Sequence, residues 1–161
     1  MCMMFFRSLI STVLVVIVTT TEKSSACTMY PAPRNGALGC INITFSSLGV
    51  VPICYAMCKS EFDFVSKAER IYICYQGQWK TRLLEPALPW PDCSAAQGPK
   101  TMVNLFYFDG NPSDPNVVNV IKDNLLNLLE RDLVLCDYPG ENPPGQCKKD
   151  KFKVTAGELS G

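Results

Sequence analysis

Cysteine is the residue type with the most chemistry to offer in this sequence: there are nine in 161 residues, and no histidine accompanies them. A cysteine serves as nucleophile, as metal ligand or as half of a disulfide, and its spacing and surroundings separate these roles. Without histidine there is no Ser-His-Asp or Cys-His system, no His-ligated zinc and no imidazole base. No Cys-x-x-Cys occurs either, since Cys54 and Cys58 have Tyr55, Ala56 and Met57 between them. No metal and no cofactor are expected, and the cysteines are expected to pair with one another.

Whether they do depends on the compartment, and the amino terminus speaks to that. Arg7 gives a short basic start, residues 8–18 are an apolar run, and a polar stretch follows. Ser24 and Ala26 are small residues at the two positions a signal peptidase inspects, so residues 1–26 read as a secretory signal cut before Cys27. The apolar run is too short to cross ~30 Å of hydrocarbon, and no membrane span is expected.

Removing the signal takes Cys2 with it and leaves eight cysteines, an even number. Loss of Arg7, Lys23 and Glu22 turns 15 basic and 15 acidic residues into 13 and 14. That near-neutral balance excludes a nucleic-acid partner, which needs a basic face to displace counterions. A secreted, extracellular chain with eight cysteines reads as a disulfide scaffold.

The cysteines divide the chain unevenly. Cys27, Cys40, Cys54, Cys58, Cys74 and Cys93 fall in residues 27–93, and only Cys136 and Cys147 follow. Residues 94–100, Ser-Ala-Ala-Gln-Gly-Pro-Lys, are small and turn-forming and read as a linker. Two modules are therefore expected, 27–93 and 101–161, each small enough to depend on covalent staples.

In the first module, residues 37–46 include Cys-Ile-Asn-Ile-Thr-Phe, the alternation of a half-buried strand. Residues 50–57 and 70–75 are further strand candidates, and Gly and Pro punctuate the rest. The expected fold is small, loop-rich, disulfide-rich and all-β.

The residues of this segment resemble the sushi family, also called complement control protein modules or short consensus repeats. The resemblance rests on Cys27 followed by Pro31, Pro33 and Asn35-Gly36, then on Cys58 with Phe62 after it. Cys74 with Gly77-Gln78-Trp79, and the closing Pro91-Asp92-Cys93, complete it. Glu61 stands where the family has the Gly of a Gly-Tyr pair, and the stretch from Trp79 to Pro91 is longer than usual. Eight cysteines allow 105 pairings, and the sequence alone selects none of them. The resemblance implies Cys27 with Cys74 and Cys58 with Cys93. Cys40 and Cys54 then fit the extra bridge of a six-cysteine subset, similar to repeats of large sushi, EGF and pentraxin adhesion proteins.

Two tryptophans invite different readings. Trp79 is expected to fill a small core against the disulfides. Trp90 ends the Pro-rich apolar stretch 82–90, which either offers Leu83, Leu84, Leu88 and Trp90 to a partner or folds back onto the second module. Asn42-Ile43-Thr44 is a glycosylation sequon, and Asn42 points outward if Ile41 and Ile43 are buried. Asn111-Pro112-Ser113 is excluded by its proline.

The second module is expected to be a small α+β unit, strand–helix–strand. Residues 102–108 read as a strand, Asp114-Pro115 as a helix start, and Val117, Ile121, Leu125, Leu128 and Leu129 as an apolar helix face running to about Leu133. Cys136 and Cys147 flank a Pro- and Gly-rich loop and are expected to staple it, and residues 151–155 alternate as a second strand. That order loosely resembles the first half of a SEA-type extracellular module. One helix over two strands buries little, so the unit reads as incomplete, a fragment of a longer multidomain protein.

Other candidate chemistry is thin. Asp109, Asn111, Ser113 and Asp114 lack the glycine and distal glutamate of a calcium loop and read as a turn and helix cap. Glu61 and Asp63 lack any inferable cleft, and Lys148, Lys149, Lys151 and Lys153 read as a solvated strand edge. No catalytic residue is nominated. The expectation is a secreted, non-enzymatic recognition or adhesion protein that binds an extracellular protein or glycan; the alternative is a secreted effector such as a toxin or an enzyme inhibitor.

Overall fold

The computed structural model describes residues 26–95, 106–130, 136, 143 and 145–159. The expected signal up to residue 25, the linker from residue 96, the first part of the expected strand 102–108 and the helix end beyond residue 130 lie outside the described residues.

Two long strands, β1 (Gly36–Phe45) and β2 (Gly49–Cys58), form a hairpin with ten residue pairs in register, from Gly36 opposite Cys58 to Phe45 opposite Gly49. The alternation that suggested a strand now has its cause: Ile41 and Ile43 are buried while Asn42 and Thr44 are exposed. The short strands β4 (Tyr72–Tyr75) and β5 (Gln78–Lys80) extend the sheet on the β2 side. Gln76 and Gly77 join them with φ values of 51° and 75°. Two consecutive left-handed residues give the tight connection whose twist suits a two-residue hairpin, which is the backbone reason for Gly77 just before Gln78-Trp79. A separate two-stranded piece pairs β3 (Phe62–Phe64) with β6 (Cys93–Ala95).

Helix α1 (Pro115–Leu128) begins as its sequence demands. Asp114 is extended and its carboxylate accepts from the Asn116 N–H at 2.8 Å, and Pro115 occupies the first turn where no backbone donor is missed. Asn111 makes the preceding turn, its side-chain oxygen accepting from the Ser113 N–H at 2.9 Å. These polar groups are thus engaged in a turn and a cap. Ile121, Leu125 and Leu128 face inward from the helix.

The last strand, β7 (Lys153–Ala156), pairs antiparallel with β1, Ala37 opposite Ala156 and Cys40 opposite Lys153. The sheet order is β5-β4-β2-β1-β7. Chain from both sides of the expected linker therefore contributes to one sheet. Backbone hydrogen bonding explains this arrangement: β1 offers an open edge of N–H and C=O groups, and a four-residue strand is too short to form a sheet of its own. The tail continues the clasp beyond β7, with the Gly157 N–H donating to the Gly36 carbonyl at 3.0 Å and the Asn35 N–H to the Glu158 carbonyl at 2.8 Å. Further along β1, the Gln146 side-chain amide substitutes for a strand, donating to the Thr44 carbonyl at 2.8 Å while its oxygen accepts from the Thr44 N–H.

Strand alternation gives the sheet two apolar faces. On one, Ile41, Ile43, Val51, Ile53 and Met57 meet Ile121, Leu125 and Leu129 of the helical segment, together with Phe108 and Phe152. On the other, Leu38, Cys54, Tyr72 and Cys74 meet Trp79 and Trp90. Phe108 makes only an isolated parallel bridge with Lys59.

Candidate recognition face

Four disulfides brace the fold: Cys27–Cys74, Cys40–Cys54, Cys58–Cys93 and Cys136–Cys147. Cys40 and Cys54 are direct cross-strand partners in the β1–β2 register, so their bridge lies across the sheet face that carries the tryptophans. Cys27–Cys74 ties the N-terminal segment down onto β4.

That segment and the stretch after β5 share one aromatic cluster. Trp90 sits edge-on to Tyr30, Tyr72 and Trp79, with ring centroids 5.4 to 5.5 Å apart. Edge-to-face packing sets the positive rim of one ring against the negative face of another. Both indole N–H groups are satisfied by N-terminal carbonyls, Trp79 donating to Thr28 at 2.8 Å and Trp90 to Pro31 at 2.6 Å. Tyr72 accepts from the Glu69 N–H at 3.0 Å, and burial pushes its pKa up to about 12. Burial likewise drives the Tyr55 phenol, on the helix side of the sheet, well above the usual tyrosine range.

The expected contact residues separate at this point. Trp90 is only 6% exposed, so it is not presented to solvent; among the described residues its ring partners are Tyr30, Tyr72 and Trp79, all in the first half of the chain. The physical reason is that indole area on this face has aromatic partners and a carbonyl waiting for its N–H. Leu83 and Leu88, by contrast, are 79% and 81% exposed, and Leu84 is half exposed.

The turn that carries them is tied at its base. The Thr81 N–H donates to the Glu85 carbonyl at 2.8 Å, the Leu84 N–H to the Thr81 carbonyl at 3.0 Å and the Ala87 N–H to the Trp79 carbonyl at 3.0 Å. The Leu83 N–H reaches the Thr81 hydroxyl at 3.2 Å. Leu84 takes φ of 60°, a left-handed conformation that disfavours a side chain with a Cβ and persists where the surroundings impose it. The leucines are thus held out on a defined backbone.

Glu61 is solvent-facing and pairs with Lys59 at 3.6 Å, whereas Asp63 is buried and accepts from the Phe64 N–H at 2.9 Å and the Tyr107 hydroxyl at 3.3 Å. Among the basic residues, Lys149 pairs with Asp123 at 2.6 Å, and Lys153 opens β7 at the edge of the sheet. Asn42 is exposed between two buried isoleucines.

Sequence reasoning missed Tyr30 and Tyr72. Tyr72 alternates with Ile71 and Ile73 in a recognisable strand, but nothing local marks Tyr30 as a ring that packs on Trp90.

Comparison with protein-family models, with curated proteins and with solved structures returns no match. Among the described residues, fold and site define a small disulfide-rich β protein with one α-helix, and no helix there is long and apolar enough to cross a membrane.

Proposed function

We propose that this chain is a secreted, non-enzymatic recognition protein of sushi type that binds an extracellular protein through the turn carrying Leu83, Leu84 and Leu88. The observation that carries this reading is the contrast between that turn and its base: the leucines stand in solvent while Trp90, two residues on from Leu88, is locked among three rings. Ordering a loop on binding opposes association, and a turn fixed beforehand by disulfides and buried aromatics avoids much of that loss. Exposed aliphatic side chains on a rigid base supply the apolar area from which protein interfaces draw affinity.

The sushi assignment is supported by the pairing of the framework cysteines, Cys27 with Cys74 and Cys58 with Cys93, which is the family's order. It is also supported by Gly77 and Trp79 acting as turn and core residue. Export before Cys27 and glycosylation at Asn42 belong to the same reading.

Binding of the oxidised chain to extracellular-matrix and cell-surface proteins tests the proposal. A Leu83→Ser/Leu88→Ser variant with all four bridges intact is expected to lose at least about tenfold in affinity. Unchanged binding by that variant removes the leucine turn from the mechanism.

A further inference from the structure

A second opening lies on the tryptophan face, away from the leucine turn. It is a cleft of about 300 Å³, at the small end of the range for organic-ligand pockets. Register explains its floor. Cys40 faces Cys54 and Asn42 faces Pro52 across the β1–β2 hairpin, so all four side chains emerge on the same side of the sheet. The Cys27–Cys74 bridge, Met29 and Trp79 complete an apolar surface.

Ala26 and Ile41 add to that surface, and the charged lining is of one sign. Lys153 is the register partner of Cys40 and so shares that face, and Lys151 stands two residues before it at the end of the 3-10 turn Lys149–Lys151. Among the described residues no carboxylate lines the cleft. Lys149, the neighbour that does find an acid, uses Asp123 on the helix, and neither Lys151 nor Lys153 makes an ion pair among the described residues. Asp150, the acidic residue between Lys149 and Lys151, is exposed on the same 3-10 turn.

We infer that this cleft binds an organic anion with an apolar body, the body against Trp79, Met29, Pro52 and the two cystines and the anionic head between Lys151 and Lys153. Apolar area supplies the affinity, and the lysines select a carboxylate or sulfate head over a neutral one of the same shape. The site is independent of the leucine turn, and its loss leaves that reading untouched.

Decanoate tests it, with decanol as the uncharged control, against the oxidised chain beginning at Cys27, produced without glycan. Saturable decanoate binding is expected, with amide shifts at Cys40, Asn42 and Lys153 in NMR spectra. Decanol is expected to bind about tenfold more weakly, and a Lys151→Gln/Lys153→Gln variant to lose about tenfold for decanoate and nothing for decanol. Both lysines are exposed, so the variant is expected to keep its four bridges, which a non-reducing peptide map verifies. Three results overturn the inference: no saturable decanoate binding, equal binding of decanoate by the lysine variant, or shifts confined to residues 81–88.

Discussion

Leu125 of the helix occupies the space that a side chain at Gly39 would need: a Cβ built on Gly39 would lie 2.2 Å from the Leu125 Cδ1. This contact fixes how closely the helix approaches the middle of β1. Gly39→Ala is therefore expected to destabilise the fold by about 1–3 kcal/mol through overpacking, since Leu125 is fully buried and has little room to move. Denaturant titration of the oxidised protein measures it. A Gly39→Ala/Leu125→Ala double variant is expected to lose less than the sum of the two single changes, because the pair shares one volume. Additive losses would show that the two residues do not compete for space.

The bridges are expected to contribute unequally. Cys27–Cys74 closes a sequence separation of 47 and Cys40–Cys54 one of 14. Chain-entropy arithmetic then gives about 4 and about 3 kcal/mol. Replacing each pair by serine and comparing unfolding midpoints checks the order. The Cys27–Cys74 variant is also expected to loosen residues 28–31, whose carbonyls hold both indoles, so its tryptophan emission shifts to the red.

Trp90 and Leu88 test burial against display. Trp90→Ala removes a buried indole, three edge contacts and a satisfied N–H, and is expected to cost about 3–5 kcal/mol. Leu88→Ser changes an exposed side chain and is expected to stay within about 0.5 kcal/mol of the parent. Thermal melts of the two variants side by side would contradict the assignment of roles if their shifts were similar.

Alkaline pH is expected to unfold the protein through its tyrosines. Tyr72 is held neutral up to about pH 12, chiefly by burial against the partly offsetting Glu69 N–H, whereas an ordinary tyrosine ionises near 10.0. A folded pKa above the unfolded one gives stability that is whole below pH 10 and lost as pH rises toward 12. Tyr55 titrates in the same sense. Phenolate absorbance is expected to show these two tyrosines ionising only together with the loss of near-ultraviolet circular dichroism. At the acid end the Arg34 N–H and guanidinium hold the Asp92 carboxyl below its usual range. Its contribution is present above the ordinary aspartate value and fades as pH falls below it, and Asp92→Asn is expected to flatten that limb.

Much of the local structure was legible in the residues. Alternation at 41–44 marked β1, Asp114-Pro115 marked the helix start, and the spacing of Ile121, Leu125 and Leu128 marked its buried face. These signals act within a few residues of one another, through side-chain direction, capping and backbone sterics. Polarity could not place Trp90 in the same way, because a Pro-rich apolar stretch suits an exposed loop and a buried one equally well.

The even count of eight cysteines behind the expected signal pointed to a cross-linked protein, and local alternation pointed to its strands. Only the tertiary structure decided that β7 completes the sheet beside β1, that the helix seats on Gly39, and that Trp90 turns inward while Leu83 and Leu88 remain outside. Each of those outcomes joins residues far apart in the chain, and each depends on which surface is open when they meet. A strand carries no mark of the edge it will pair with, because every edge offers the same N–H and C=O groups; packing on the two faces selects among them.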